Sequence, residues 1–172
     1  VVLMKSYTRI LFRVIVSSLL ILTSVATGLY AEPVDKMNMR ERCPVCGMFV
    51  AKFDNFISQI HTQQGVVLFF DGVKDLLAYY FQPEAYGGQA KDSFPEIWVK
   101  DYYSLHWHNA REAFYVIGSD VYGPMGHELI PFSTRMAAES FLKDHKGEQV
   151  FAFDEITPDV VETLRSGQKM KH

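Results

Sequence analysis

The chain has 172 residues and a net charge of -3, with charges of both signs scattered along it. That distribution offers no basic patch and excludes nucleic acid as the expected partner. Aromatic residues make up 14% of the chain, enough to build a core without disulfide staples, and its two cysteines could close only one very short loop. Such a loop removes little entropy from the unfolded chain, so a structural bridge explains them poorly.

Lys5, Arg9 and Arg13 precede an uncharged apolar run from Val14 to about Val25, and the small residues Ala26, Thr27, Gly28 and Ala31 follow. This is the layout of a secretory signal peptide, with cleavage after Gly28 or Ala31. The other reading is an uncleaved anchor, since the stretch 14–31 is about as long as the ~17–25 residues that span a bilayer. Either way the folded part is expected outside the cytoplasm, in the periplasm, with residues 14–31 as a potential tether to the inner membrane. Cys43 follows Arg40-Glu41-Arg42, which is no lipobox.

Next comes Cys43-Pro44-Val45-Cys46-Gly47-Met48, which holds both cysteines. Two thiolates beside a thioether form a soft donor set that favours Cu(I) over hard cations. The spacing alone also fits thioredoxin-like redox chemistry or zinc.

Beyond the cysteines one pattern occurs twice. Residues 55–61 alternate as a strand, Gln63-Gln64-Gly65 makes a turn, and 66–70 is a short apolar strand. Asp71 is placed to cap a helix over 72–81, which Pro83 stops; a loop over 86–94 leads to a strand over 96–102. The second round has a strand over 112–117, a Gly/Pro loop over 120–127 and a strand over 128–132. Ser133 then caps a helix over 134–145, and a strand over 149–153 closes the round. Residues 158–166 form a last short helix, and the polar tail 168–172 is expected to fray. The expected fold is α+β, with two similar β-β-α-β repeats and mainly antiparallel sheets. The domain bounds are 1–31 for the export segment, 32–104 for the first repeat and 105–172 for the second.

Within loop 120–127, Met125 lies between Pro124 and Gly126 rather than on a helix or strand face, which marks it as a soft ligand rather than a core filler. His127, two residues on, is either a nitrogen ligand or a hydrogen-bonded loop residue. Met136, on the second helix, reads as core.

Several segments, in order along the exported part, resemble the NosL family, the copper-binding accessory proteins of nitrous oxide reductase maturation. They are Cys46-Gly47-Met48, Phe70-Asp71-Gly72, Val99-Lys100-Asp101-Tyr102, and Trp107 with the run from Ala110 to Val116. The run from Gly123 to Phe132 and the closing Phe153-Asp154-Glu155-Ile156 complete the set. The resemblance implies paired β-β-α-β repeats, Cu(I) binding outside the cytoplasm, and Cys46 and Met125 as ligands. It also implies a copper-accepting partner, nitrous oxide reductase or its membrane ABC-transporter assembly complex. Family members are commonly lipoproteins, whereas this chain lacks the lipobox. The chain also carries His106-Trp107-His108-Asn109 where the family has apolar and then acidic residues. Two histidines one residue apart on a strand share a face and suit a metal, but the segment is read as a polar loop before a strand.

The function expected is therefore that of a copper chaperone, not an enzyme. Cys46 supplies a thiolate, Met125 a displaceable thioether, and Met48, Cys43 or His127 completes the site. Oxidation of the pair to a disulfide would remove both thiolates. The alternatives are a thiol–disulfide oxidoreductase, which needs the pair at a helix start, and a zinc knuckle with two histidines.

Overall fold

The computed structural model describes residues 31–88, 90 and 93–167. The expected signal or anchor segment, up to Tyr30, and the tail 168–172 lie outside the described residues.

The first sheet comprises β1 (Ser58–His61), β2 (Val67–Phe70), β3 (Glu96–Lys100) and β4 (Trp107–Asn109), in the order β2-β1-β3-β4. The second comprises β5 (Phe114–Ile117), β6 (Ile130–Phe132) and β7 (Gln149–Ala152), in the order β6-β5-β7. All pairings are antiparallel, with Ile60 opposite both Leu68 and Ile97, and Tyr115 opposite both Pro131 and Phe151. In each repeat the opening strand is central and a helix links the two strands beside it. These helices are α1 (Val73–Phe81) and α2 (Arg135–Asp144). A third helix, α3 (Pro158–Arg165), starts from a Thr157 cap that accepts from the Val160 N–H and packs along α1. The expected α+β architecture is what the chain adopts.

Strand periodicity explains the layering, because alternate residues face opposite sides of a sheet. Tyr115 and Ile117 of β5 join the main core with Phe70, Leu76 and Ile97, while Val116 between them packs under α2 with Phe132, Ala138 and Phe141.

Local expectations fail in several places, each for a physical reason. Residues 50–56 are 3-10 turns, and β1 is buried along all four residues rather than alternating. Its second face is covered by the stretch 31–35: the Gln59 amide donates to the Val34 carbonyl at 2.7 Å and accepts from its N–H at 2.9 Å. Asp71 does not cap α1. The cap position is Gly72, without a side-chain hydrogen bond, and the Asp71 carboxylate turns to a cysteine. Nor does Ser133 cap α2. Thr134 does, accepting from the Ala137 N–H at 3.2 Å, while the Ser133 N–H donates to Asp101. Met136 is 79% exposed, not core, because no described element covers that side of α2. The segment at Trp107 is not a loop but β4, with His108 opposite Val99, so the first sheet runs beyond residue 104 to Asn109.

Candidate metal centre

The sequence Cys43–Met48 folds back on itself. The Cys43 N–H donates to the Met48 carbonyl at 3.0 Å, and the Gly47 N–H to the Cys43 carbonyl at 2.8 Å. Gly47 has φ +75°, the left-handed region that glycine enters without a Cβ penalty. Arg42 Nη1 locks the turn by donating to the Gly47 carbonyl at 2.7 Å. This reversal places both cysteines toward the start of α1. Both are free thiols, Cys43 buried and Cys46 half-buried.

Two carboxylates meet them. Cys46 Sγ donates to Asp71 Oδ1 at 3.3 Å, and Cys43 Sγ to Asp75 Oδ2 at 3.4 Å. One donor atom from each of Cys43, Cys46, Asp71 and Asp75 lies within 4.8 Å of the others. Asp71 and Asp75 escape sequence reasoning as members of the site. Their i, i+4 spacing, which puts side chains on one side of a helical turn, was the available signal. Burial pushes the Cys46 thiol up to about 12, and the Asp75 carboxylate adds to the shift. Burial raises the Cys43 thiol further still, again with help from Asp75 and Asp71. Both thiols are therefore protonated at neutral pH in the metal-free protein.

Met125 approaches from the second repeat. Gly123 and Gly126 exchange hydrogen bonds of 2.8 and 3.2 Å, closing a tight turn with Met125 just before Gly126, whose φ is +90°. Met125 is 51% exposed. It lines a cleft of about 390 Å³ together with Cys46, Lys74, Asp75, and Glu162 and Arg165 of α3. Lys74 Nζ donates to the Met125 and His127 carbonyls at 2.9 and 2.7 Å.

The structure thus brings Cys46 and Met125 to one cleft, with Cys43 beside Cys46 in the four-donor group. Cys43, Met48 and His127 do not line this cleft. Met48 lends its carbonyl to Cys43, and the His127 ring lies 5.1 Å from that of Tyr122. Among the described residues, neither His106 nor His108 joins a group of three or more His, Cys, Asp or Glu donors, and the four-donor group at the cysteines contains no histidine. That composition differs from the two-histidine zinc knuckle. The disulfide-exchange alternative needs a helix beginning at the cysteines, and the chain turns back there instead.

Comparison with known proteins follows the same line. Residues 33–161 match the NosL family model. The copper-binding lipoprotein NosL of Stutzerimonas stutzeri is 30% identical over 141 residues, which cover 80% of this chain and 72% of that protein. The crystal structure of the copper chaperone NosL from Shewanella denitrificans superposes with a TM-score of 0.63 at 27% identity, covering 74% of this chain and 99% of that one. With the family model matched across most of the described fold, the chain belongs to the NosL family.

Proposed function

We propose that this protein is an extracytoplasmic Cu(I) metallochaperone that binds copper as cargo and releases it to a copper-accepting protein. The observation that carries this reading is the cleft shared by Cys46 and Met125, a thiol from one repeat and a thioether from the other. Soft donors of this kind select Cu(I). Cys43 is buried, while Met125 is half exposed. An acceptor's ligand would therefore meet the neutral, easily displaced thioether first. Support also comes from the relatives, one named a copper-binding lipoprotein and the other a copper chaperone. A lipoprotein relative favours a place outside the cytoplasm at a membrane. The acceptor favoured by the family resemblance is nitrous oxide reductase or its membrane ABC-transporter assembly complex.

Because both thiols are raised by burial, each thiolate formed on binding releases a proton. Affinity should rise about tenfold per pH unit for each proton released. The deciding experiment is an anaerobic Cu(I) competition titration of the reduced protein. One-to-one binding lost in Cys46→Ser, weakened in Met125→Leu and weakened by prior oxidation supports the reading. Binding that survives Cys46→Ser, or is indifferent to oxidation, sinks it.

A further inference from the structure

Lys74 is an unusual residue for its place. It sits in the first turn of α1, where a positive charge opposes the helix dipole, and it is only 2% exposed. A buried ammonium is costly unless its protons find acceptors. Here two of them go to main-chain carbonyls, those of Met125 and His127 on either side of Gly126. The Lys74 backbone is tied to the same loop. Its N–H donates to Glu128 Oε1 at 2.6 Å, and that oxygen also accepts the Leu129 N–H at 2.9 Å. The Glu128 carboxyl fills a slot left by two glycines. A Cβ on Gly72 would collide with Glu128 Oε2, and one on Gly123 would come within 2.9 Å of it. The residues around Lys74 face the other ligand group, since Asp75 of α1 accepts from Cys43 and Asp71, just before the helix, from Cys46. The start of α1 thus grips both the cysteine segment and the Met125 turn.

We propose that Lys74 is a positioning residue that sets the distance between the Cys46 thiol and the Met125 thioether by holding the Met125 turn against α1. This rests on the reading of Cys46 and Met125 as copper ligands. The side chain of Met125 stays free to move while its backbone is fixed at three points: the Gly123–Gly126 pair and the two carbonyls bound by Lys74. Such a mount keeps a displaceable ligand in range without burying it.

The test is a double-mutant cycle on the full chain, with Cu(I) affinity as one readout and the ¹³C-methyl signal of Met125 in the metal-free protein as the other. Lys74→Leu should weaken Cu(I) binding at least about fivefold, a coupling of ordinary size for residues in one network. In a Met125→Leu background the same change should cost less than about twofold, because there is no thioether left to misplace. The Met125 methyl signal should shift or broaden in Lys74→Leu. Losses that multiply in the double variant, or an unmoved methyl signal with unchanged affinity, overturn the proposal. If Lys74→Leu does not fold, Gly126→Ala serves. It strains the same turn at φ +90° without meeting any atom within 4 Å, and it should reproduce the loss. Unchanged affinity there overturns the proposal as well. Should the wild type bind no Cu(I), the functional reading fails, and the methyl signal alone decides whether Lys74 holds the turn.

Discussion

Helices α1 and α2 occupy the same place in two repeats of one topology, so Val73 aligns with Arg135, Lys74 with Met136, Asp75 with Ala137 and Leu77 with Glu139. Seven of the nine residues of α1 are buried, against two of the ten in α2. Helix α1 is covered by α3, which packs along it and has no counterpart on α2 among the described residues, and by the cysteine segment and the Met125 turn. Covering a helix on both sides forces its polar residues to find internal partners. In α1 those partners are a thiol, for Asp75, and the Met125 and His127 carbonyls, for Lys74. The helix that meets both the cysteines and the Met125 turn is the covered one, whereas the positions aligned with Lys74 and Asp75 in the other hold an exposed methionine and an alanine.

The largest expected effect tests that difference in burial. Leu77 is fully buried, so Leu77→Ala should cost about 3–5 kcal/mol in urea unfolding, the range for buried leucines that leave a cavity. Glu139→Ala at the aligned, exposed position should stay within about 0.5 kcal/mol. Equal costs would mean that the two helices are covered alike, and the contrast would fall.

The next test separates two buried carboxyls that titrate in opposite directions. Burial raises Glu128 from the ordinary 4.5 to about 7, despite the Lys74 charge and two N–H donors. Burial also pushes Asp101 upward, but the Ser104 and Ser133 N–H groups outweigh it and hold this carboxyl below its ordinary 3.8. The signs follow from proton linkage. Glu128 binds its proton more tightly in the folded state, so its stabilisation is full below pH 4.5 and is lost as pH rises toward about 7. That gap corresponds to about 3 kcal/mol. Asp101 acts the other way, stabilising above pH 3.8 and losing its contribution as pH falls below that. Urea unfolding across pH should show Glu128→Gln flattening the slope between 4.5 and about 7, with Asp101→Asn flattening only the acid limb. A slope unaltered in Glu128→Gln would place that proton elsewhere.

What the sequence made legible was what depends on neighbours along the chain. The strand–turn–strand–helix order and the turn at Gly65 (φ +78°) follow from local chemistry. Partners far apart in sequence were not legible. Asp71 was a reasonable helix cap, because a short carboxylate before a helix usually accepts from its first N–H groups. The structure instead offers it the Cys46 thiol, 25 residues earlier, and leaves Gly72 at the cap. Lys74 and Glu128 look like ordinary surface charges until a contact across 54 residues buries both. Alternation failed in β1 for the same reason. The stretch 31–35 covers its second face through Gln59, a polar residue that period-two reasoning sends to solvent.

Met136 gives the smallest effect and the sharpest contrast. It reads as core because methionine on a helix usually is, yet its side chain meets solvent and the first turn of α2 has no acidic residue. A carboxylate there complements the unsatisfied N–H groups of the helix start, a gain of about 0.3–1 kcal/mol at exposed sites. Met136→Glu should therefore be neutral or slightly stabilising, read as a small rise in Tm or urea midpoint. The aligned change, Lys74→Glu, would remove both donors to the Met125 turn and set a second carboxyl beside Glu128. The same substitution in the same turn of the same topology should thus be harmless in one repeat and severe in the other. If Met136→Glu instead costs more than about 1 kcal/mol, that surface is covered in solution, and α2 is no longer the open counterpart of α1.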